Sequence, residues 1–134
     1  MAVLVDSNVL LDVLTESSAW WSWSSAAMAR AANRARLVLN PVIFAEISIR
    51  FSRLEELDWV LEHAGLSREP IPWAAAFLAG KAFVDYRRRG GARRSPLPDF
   101  FIGAHAAVAG HELLTRDRTR YRAYFPTVAL IAPD

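Results

Sequence analysis

The chain has 134 residues, of which 53% are hydrophobic and 22% charged, a composition typical of one globular domain and not of a disordered chain. It contains no cysteine, which excludes disulfides, cysteine-based zinc sites and a cysteine nucleophile. The formal net charge is only +2, but arginines cluster in the segments 87–94 and 116–122. Such clusters suit a polyanion such as nucleic acid, and they equally suit a solvated surface.

The distribution of apolar residues bears on the compartment. The apolar run at the start of the chain ends at Asp6 and is too short for the core of a signal peptide. No apolar run approaches the roughly 20 residues that span a bilayer. We therefore expect a cytoplasmic protein that does not associate with a membrane.

Short apolar strands alternate with helical segments in the first half of the chain. The Asn40-Pro41 pair is a strong helix start, because asparagine caps and proline suits the first helical position. The segment 52–55 matches a capping box and predicts a further helix. In chain order, the sequence predicts a strand at 2–5, a helix over 9–14, a helix over 20–36, a strand at 37–39, a helix from 41 to 51, and a helix from about 54 to 63.

The second half continues the alternation. The sequence predicts a helix from 73 to about 89, a loop over 90–98, an apolar helix that has Asp99 in its first turn and ends at Gly110, a strand at 112–115, and a last strand within 127–132. Strands that alternate with helices predict a layered α/β domain with a mainly parallel sheet and right-handed crossovers. We treat residues 1–134 as one domain.

Four carboxylates lie where such a sheet would bind a ligand. Asp6 ends the first strand, Asp117 follows the strand at 112–115, Asp99 opens a helix, and Glu46 lies in a largely apolar helix. Each acid alone has an ordinary explanation, such as a helix cap, a turn, or an ion pair between Glu46 and Arg50. If the fold brings them together, their repulsion calls for a cation, and Mg²⁺ or Mn²⁺ prefers oxygen ligands. A site of that kind orients a phosphodiester and activates a water molecule.

Four segments carry a resemblance to a known family. They read DSNVLL at 6–11, PVIFAE at 41–46, PDFFIGAHA at 98–106 and LLTRD at 113–117. In this order they resemble the four motifs of the PIN-domain nucleases, and the match covers essentially the whole chain. The length and the motifs look most like the toxin ribonucleases of bacterial VapBC toxin–antitoxin pairs.

The resemblance implies a PIN-like three-layer α/β/α domain and a Mg²⁺- or Mn²⁺-dependent endoribonuclease. It assigns the catalytic and metal-binding roles to Asp6, Glu46, Asp99 and Asp117, and supporting roles to Asn8 and Thr115. It also implies an RNA substrate, a cognate antitoxin that holds the enzyme inactive, and a homodimer. Some relatives have another acid shortly after the fourth motif; the positions after Asp117 here are Arg118, Thr119 and Arg120, which leaves a second tightly held metal ion open.

Other side chains have less specific assignments. We expect His105 to be a partly buried, hydrogen-bonded histidine and not a general base, and Asp12 to be ion-paired or exposed to solvent. Of Trp20, Trp21 and Trp23, at least one should pack in the core, and the others are candidates for an interface with a second subunit or an antitoxin. The RNA-binding candidates are Arg87, Arg88, Arg89, Arg93, Arg94 and Arg116.

Two alternative functions stay open. The chain could be a PIN-type nuclease of RNA processing without a toxin role, and a neighbouring gene for a small antitoxin would separate these two functions. It could also be a non-enzymatic α/β module that binds RNA or protein. RNA cleavage that is lost on chelation of metal would exclude that module.

Overall fold

The computed structural model describes residues 2–16, 19–91 and 97–134. Helices and strands alternate in this part of the chain, as the sequence predicts. The elements are β1 (Ala2–Val5), α1 (Ser7–Thr15), α2 (Trp21–Ala32), β2 (Arg36–Leu39), α3 (Pro41–Ser48), α4 (Leu54–His63), β3 (Leu66–Arg68), α5 (Trp73–Arg88), α6 (Leu97–Ala109), β4 (Glu112–Leu114), α7 (Arg118–Tyr124) and β5 (Leu130–Ile131).

The strands form one parallel sheet with the order β3-β2-β1-β4-β5. β1 lies in the middle, where Leu4 pairs with Val38 on one side and with Leu113 on the other. All four residues of β1 are fully buried, which explains why this strand has a continuous apolar sequence. Right-handed crossovers place α1 to α4 on one face of the sheet and α5 to α7 on the other. The predicted three-layer α/β/α fold is confirmed.

The connections reverse direction beside β1, and this reversal defines a binding crevice. The chain first builds outward from β1 to β2 and β3, and then crosses to β4 on the opposite side of β1. Ligands of open parallel sheets bind beyond the carboxyl ends of the strands at such a point. Asp6 follows β1 there, and its backbone N–H donates to the carbonyl oxygen of Leu114 in β4 at 2.9 Å.

Several boundaries differ from the sequence predictions. α2 ends at Ala32, four residues early, and β2 begins at Arg36 because this residue pairs with Ala2. The helix at 54–63 is confirmed, but its predicted capping box is wrong, because Arg53 holds the N-cap position and no side chain caps the helix. The short elements β3 and α7 were not predicted.

The core accounts for most of the large apolar residues. Tyr121 and Phe100 are the largest fully buried side chains, and Trp23 packs against the core as expected for one of the three tryptophans. Trp20 and Trp21 remain 40% and 41% exposed. Within the described ranges, we find no helix that is both long and apolar enough to cross a membrane.

Candidate active site

Asp6 lies at the centre of the predicted site. It is 2% exposed and serves as the N-cap of α1, where its carboxylate accepts from the backbone N–H of Ser7 at 2.7 Å. The hydroxyls of Thr115 and Tyr121 also donate to it, at 2.7 and 3.0 Å. Burial raises the pKa of Asp6 from 3.8 to about 6; the hydrogen bond from Thr115 opposes this rise, and the charges of Asp99 and Glu46 add to it. The same residue is therefore both a helix cap and a member of a coupled acidic cluster.

Glu46 reaches the cluster from α3. Asn40 caps this helix by accepting from the N–H of Ile43 at 2.9 Å, and Pro41 follows at the first helical position, as the sequence predicts. The Ser7 hydroxyl donates to Glu46 Oε1 at 2.8 Å, which links Glu46 to the residue after Asp6. Burial raises the pKa of Glu46, and the charge of Asp99 raises it further.

Asp99 and Asp117 lie at the starts of α6 and α7. Asp99 is in the first turn of α6, as predicted, and Asp117 caps α7 by accepting from the N–H of Arg120 at 3.3 Å. The Arg120 guanidinium is 2.6 Å from Asp99 Oδ2 and 3.8 Å from Asp117 Oδ2. Burial raises the pKa of Asp99, and Arg120 partly opposes that rise. Two of the four acids therefore share one guanidinium.

The two supporting residues lie just beyond the carboxyl ends of β1 and β4, Asn8 in α1 and Thr115 directly after β4. Thr115 Oγ1 donates to Asp6 and accepts from the N–H of Asp117 at 3.0 Å, so one hydroxyl connects two of the acids. The Asn8 amide is 3.4 Å from Asp6 Oδ2 and 3.5 Å from Thr115 Oγ1, and its oxygen accepts from the N–H of Arg116. The structure thus places Asn8 and Thr115 beside the acids to which the resemblance assigns them.

Sequence reasoning did not assign a site role to Ser7, Arg120 or Tyr121. Ser7 is hidden inside the first motif. Tyr121 lies three residues before Tyr124 and four before Phe125, a helical spacing that marks a buried face in an arginine-rich segment. Burial and the neighbouring charges of Asp6 and Asp99 raise the pKa of Tyr121 well above its usual value, so its hydroxyl stays protonated and donates a hydrogen bond to Asp6.

Five of the six predicted RNA-binding arginines lie at the end of α5 or in the segment that follows it. Arg93 and Arg94 lie outside the described residues. Arg87 and Arg88 end α5, and Arg89 follows them, with its guanidinium 4.9 Å from the ring of Tyr124 in α7. This contact places the end of α5 beside the helix that carries Arg120.

Arg116, the last RNA-binding candidate, is engaged within the chain. Its guanidinium donates to both oxygens of Asp12 at 2.7 and 3.1 Å, and it lies 5.3 Å from the ring of Trp20. Asp12 is buried and also accepts from the Ser24 hydroxyl at 2.7 Å, in agreement with the expected ion-paired role. Arg116 therefore connects α1 and the N-cap residue of α2 to the segment that follows β4.

The four acids offer only oxygen donors, which is the donor chemistry of a hard divalent cation. Burial raises the pKa values of Asp6, Glu46 and Asp99, and neighbouring carboxylates add to the rise. Among the described residues, no three of these acids have carboxylate oxygens that all lie within 4.8 Å of one another. Mg²⁺ usually keeps several waters and binds through one or two carboxylates, so this spacing fits Mg²⁺ better than it fits an ion enclosed by protein ligands.

A second titratable group lies apart from the four acids. Across the described ranges, Glu69, His105 and His111 are the group of three whose ligand atoms all lie within 4.8 Å of one another. The Nε2 atoms of His105 and His111 are 2.9 and 2.6 Å from Glu69 Oε1. These distances suit hydrogen bonds, and metal ligands at about 2.1 Å from a tetrahedral ion would lie farther from one another.

Asn40 determines which ring nitrogen of His105 carries the proton. Its oxygen is occupied as the α3 cap, so its amide nitrogen donates to His105 Nδ1 at 3.0 Å. A ring nitrogen that accepts carries no proton, and neutral His105 therefore holds its proton on Nε2 and donates it to Glu69. Burial lowers the pKa of His105, which favours the neutral form. The group is consequently a hydrogen-bonded link between α3, α6 and the end of β3; His105 is hydrogen-bonded as expected, and it is fully rather than partly buried.

Comparison with known proteins agrees with this geometry. Residues 3–126 match the PIN domain, and the chain belongs to the PIN-domain family. No curated protein sequence matches the chain.

Solved structures with the same fold include VapBC2 from Rickettsia felis bound to a DNA fragment from its promoter, with a TM-score of 0.75, 14% identity and full coverage of both chains. DNA-bound VapBC from Salmonella typhimurium gives a TM-score of 0.69 at 18% identity and 98% coverage of both chains. A toxin–antitoxin complex from Klebsiella pneumoniae gives 0.69 at 20% identity and 96% coverage of both chains. At these identities, the likeness establishes the fold.

Proposed function

We propose that the chain is a Mg²⁺- or Mn²⁺-dependent endoribonuclease that acts in the cytoplasm as the toxin of a toxin–antitoxin pair. One observation carries the proposal: carboxylates from four helix starts or helices converge at the β1/β4 crevice. Ser7 links Asp6 to Glu46, Thr115 links Asp6 to Asp117, and Arg120 links Asp117 to Asp99. Membership of the PIN-domain family and likeness to VapBC complexes support it.

In this proposal Asp6, Glu46 and Asp99 would hold the divalent ion directly, and Asp117 would complete the acidic cluster beside Arg120. Such an ion supplies a water of lowered pKa and a positive charge for the leaving oxygen of the RNA phosphodiester. Thr115 and Tyr121 donate to Asp6, which orients its carboxylate and favours its ionised form. Ser7 orients Glu46 in the same way.

Cleavage of a fluorescent RNA tests the catalytic part of the proposal. Mg²⁺ or Mn²⁺ should support cleavage, EDTA should abolish it, and Asp99→Asn and Glu46→Gln should each lose about 100-fold or more because a metal ligand is removed. Asp85→Asn and Glu56→Gln, acids on α5 and α4 that take no part in the cluster, are the matched controls. Cleavage that persists in EDTA, or full activity of both site variants, would refute a metal-dependent nuclease.

The RNA is proposed to contact the end of α5. Arg87 and Arg88 are exposed there, and the following segment contains Arg93 and Arg94. Arg87→Gln with Arg88→Gln should weaken RNA binding and lower the slope of log affinity against log salt by about 0.7 per lost phosphate contact. Arg50→Gln, an exposed arginine at the end of α3, is the control. An unchanged salt slope would instead assign these arginines to a solvated surface.

The antitoxin is proposed to bind beside α2 and α3. Trp20 and Trp21 are partly exposed, and a cavity of about 320 Å³ lies beside Phe44 and Pro41 and can receive an apolar side chain. Buried aromatic anchors often contribute 2 kcal/mol or more to an interface. Trp20→Ala or Trp21→Ala should therefore weaken binding of the small protein encoded by the adjacent gene by about 30-fold, with the free toxin still folded and active.

Trp23→Ala provides the contrast in this experiment, because Trp23 packs against the core and its truncation should lower the melting temperature. If Trp20→Ala and Trp21→Ala leave binding unchanged, the antitoxin groove lies elsewhere. If no adjacent gene product binds, the alternative of an RNA-processing nuclease is favoured over the toxin.

A homodimer is proposed to form through α5. Trp73 and Phe77 lie one helical turn apart on this helix and are 91% and 69% exposed. Large exposed aromatics on one helix face are typical of an interface. The double variant Trp73→Ala/Phe77→Ala should be monomeric by light scattering at concentrations at which the wild-type protein is dimeric. A dimer of unchanged stability would exclude this face.

A further inference from the structure

Arg120 divides the acidic cluster into two halves with different charge. Its guanidinium lies 2.6 Å from Asp99 and 3.8 Å from Asp117, and arginine stays protonated at any working pH. In the described part of the chain, the side chains that hydrogen-bond to Asp6 and Glu46 are neutral hydroxyls and an amide. The chain therefore supplies its own positive charge on one side of the cluster and leaves the other side without one.

The position of Arg120 follows from the way α7 begins. Asp117 caps the helix and accepts from the backbone N–H of Arg120, so the first turn of α7 folds back over the Asp117 side chain. Tyr121, the next residue, is fully buried and donates to Asp6, which fixes the rotation of α7 about its axis. The Arg120 side chain is only about one-third exposed, in keeping with its contact with Asp99.

We propose that Arg120 is a resident counter-ion that limits this site to one tightly held divalent ion. This inference rests on the proposed metal site. A guanidinium within 4 Å of Asp99 and Asp117 neutralises charge that would otherwise attract a second divalent ion, and it repels any cation placed beside it. Arg120 thus acts as a positioning residue: it confines the first ion to the half of the cluster formed by Asp6, Glu46 and the adjacent edge of Asp99.

Mn²⁺ binding measured by calorimetry and by electron paramagnetic resonance tests this role without reference to activity. The wild-type protein should bind one Mn²⁺ tightly, and Arg120→Gln should bind a second Mn²⁺ at least about tenfold more tightly than the wild-type protein does. Arg120→Lys, which keeps the charge, should behave like the wild type. Arg122→Gln, an exposed arginine on the same helix, is the matched control.

The melting temperature supplies a second readout that detects any misfolded variant. In EDTA, Arg120→Gln should melt below the wild type, because Asp99 and Asp117 lose their shared cation, and Mn²⁺ should raise its melting temperature more than it raises that of the wild type. Two Mn²⁺ ions of similar affinity in the wild type, or identical binding in wild type and Arg120→Gln, would overturn the role of Arg120 alone. No Mn²⁺ binding to any variant would overturn the metal site and this inference together.

Discussion

Replacement of Asp6 by asparagine should stabilise the metal-free protein at alkaline pH although it destroys the proposed metal site. The folded pKa of Asp6 is about 6 and its ordinary value is 3.8. Because the pKa is raised on folding, the folded state binds the proton more tightly than the unfolded state, and stability falls as the pH rises from about 4 to about 6. Above that range the ionised carboxylate costs the folded state about 3 kcal/mol.

Asparagine removes this cost but weakens the hydrogen bonds of the site. Its oxygen can still accept from the N–H of Ser7, while the hydroxyls of Thr115 and Tyr121 must turn to accept from its amide nitrogen. The loss of charge-assisted bonds removes about 1–2 kcal/mol. The net gain at pH 8 is therefore about 1–2 kcal/mol, or a rise of about 3–6 °C in melting temperature for a chain of this length.

Thermal melts of wild type and Asp6→Asn in EDTA between pH 4.5 and 8 measure this gain. The variant should be the more stable protein at pH 8, and its advantage should disappear as the pH falls through about 6, because Asp6 then becomes protonated in the wild type. Asp85→Asn, on the exposed side of α5, should show no such pH dependence. The argument that burial and repulsion destabilise the ionised Asp6 carboxylate would be refuted by one result: Asp6→Asn is less stable than the wild type at pH 8, and this difference in stability does not change as the pH is lowered.

Three further substitutions test one packing contact and two sets of buried hydrogen bonds. Gly103→Ala should lose about 1–3 kcal/mol of stability by denaturant unfolding, because its Cβ would lie 2.4 Å from the ring of buried Phe125; equal stability would mean that the ring moves freely. Tyr121→Phe should fold but raise the pKa of Asp6, since Asp6 loses a hydrogen-bond donor. The pH profile of metal-dependent RNA cleavage should therefore shift to higher pH, and an unshifted profile counts against this hydrogen bond. His105→Ala should cost about 2–4 kcal/mol in thermal or chemical unfolding, because the Asn40 amide loses its acceptor and Glu69 loses one of its two histidine partners; an unaffected melt would show that the link is dispensable.

The sequence predicts those parts of the fold whose local signals agree with their tertiary surroundings. β1 and β2 are short apolar runs that become buried strands, and the Asn40-Pro41 pair starts α3 as expected. β3 has no such signal: it is a three-residue edge strand that forms because Leu37 and Leu39 offer backbone partners to Leu66 and Arg68. Pairing of this kind depends on residues almost thirty positions away and cannot be read from a local pattern.

The residues of the candidate site likewise divide into those that a local motif predicts and those that only tertiary contacts reveal. Motif resemblance predicts site roles for the four acids and the two supporting residues, and the structure brings these residues together. The residues that the sequence analysis missed are recognised only from tertiary contacts. The structure shows Ser7 beside Glu46 and Arg120 beside Asp99, and both pairs are far apart in the sequence. Arg120 lies in a cluster that looks like a solvated basic surface, and nothing in its spacing separates it from Arg116, which binds Asp12.

The short helix α7 has more influence on the site than its seven residues suggest. Its cap is one of the acids, Arg120 holds a second, and Tyr121 donates to a third. At its end, Phe125 packs against Gly103 on the helix that carries Asp99. A helix of this length is not stable by itself, so the contacts that order α7 are the same contacts that set the charge and spacing of the carboxylates. Substitutions of the α7 residues that contact the acids, Arg120 and Tyr121, should therefore change stability and the affinity of the proposed metal site together, whereas Arg122→Gln should change neither.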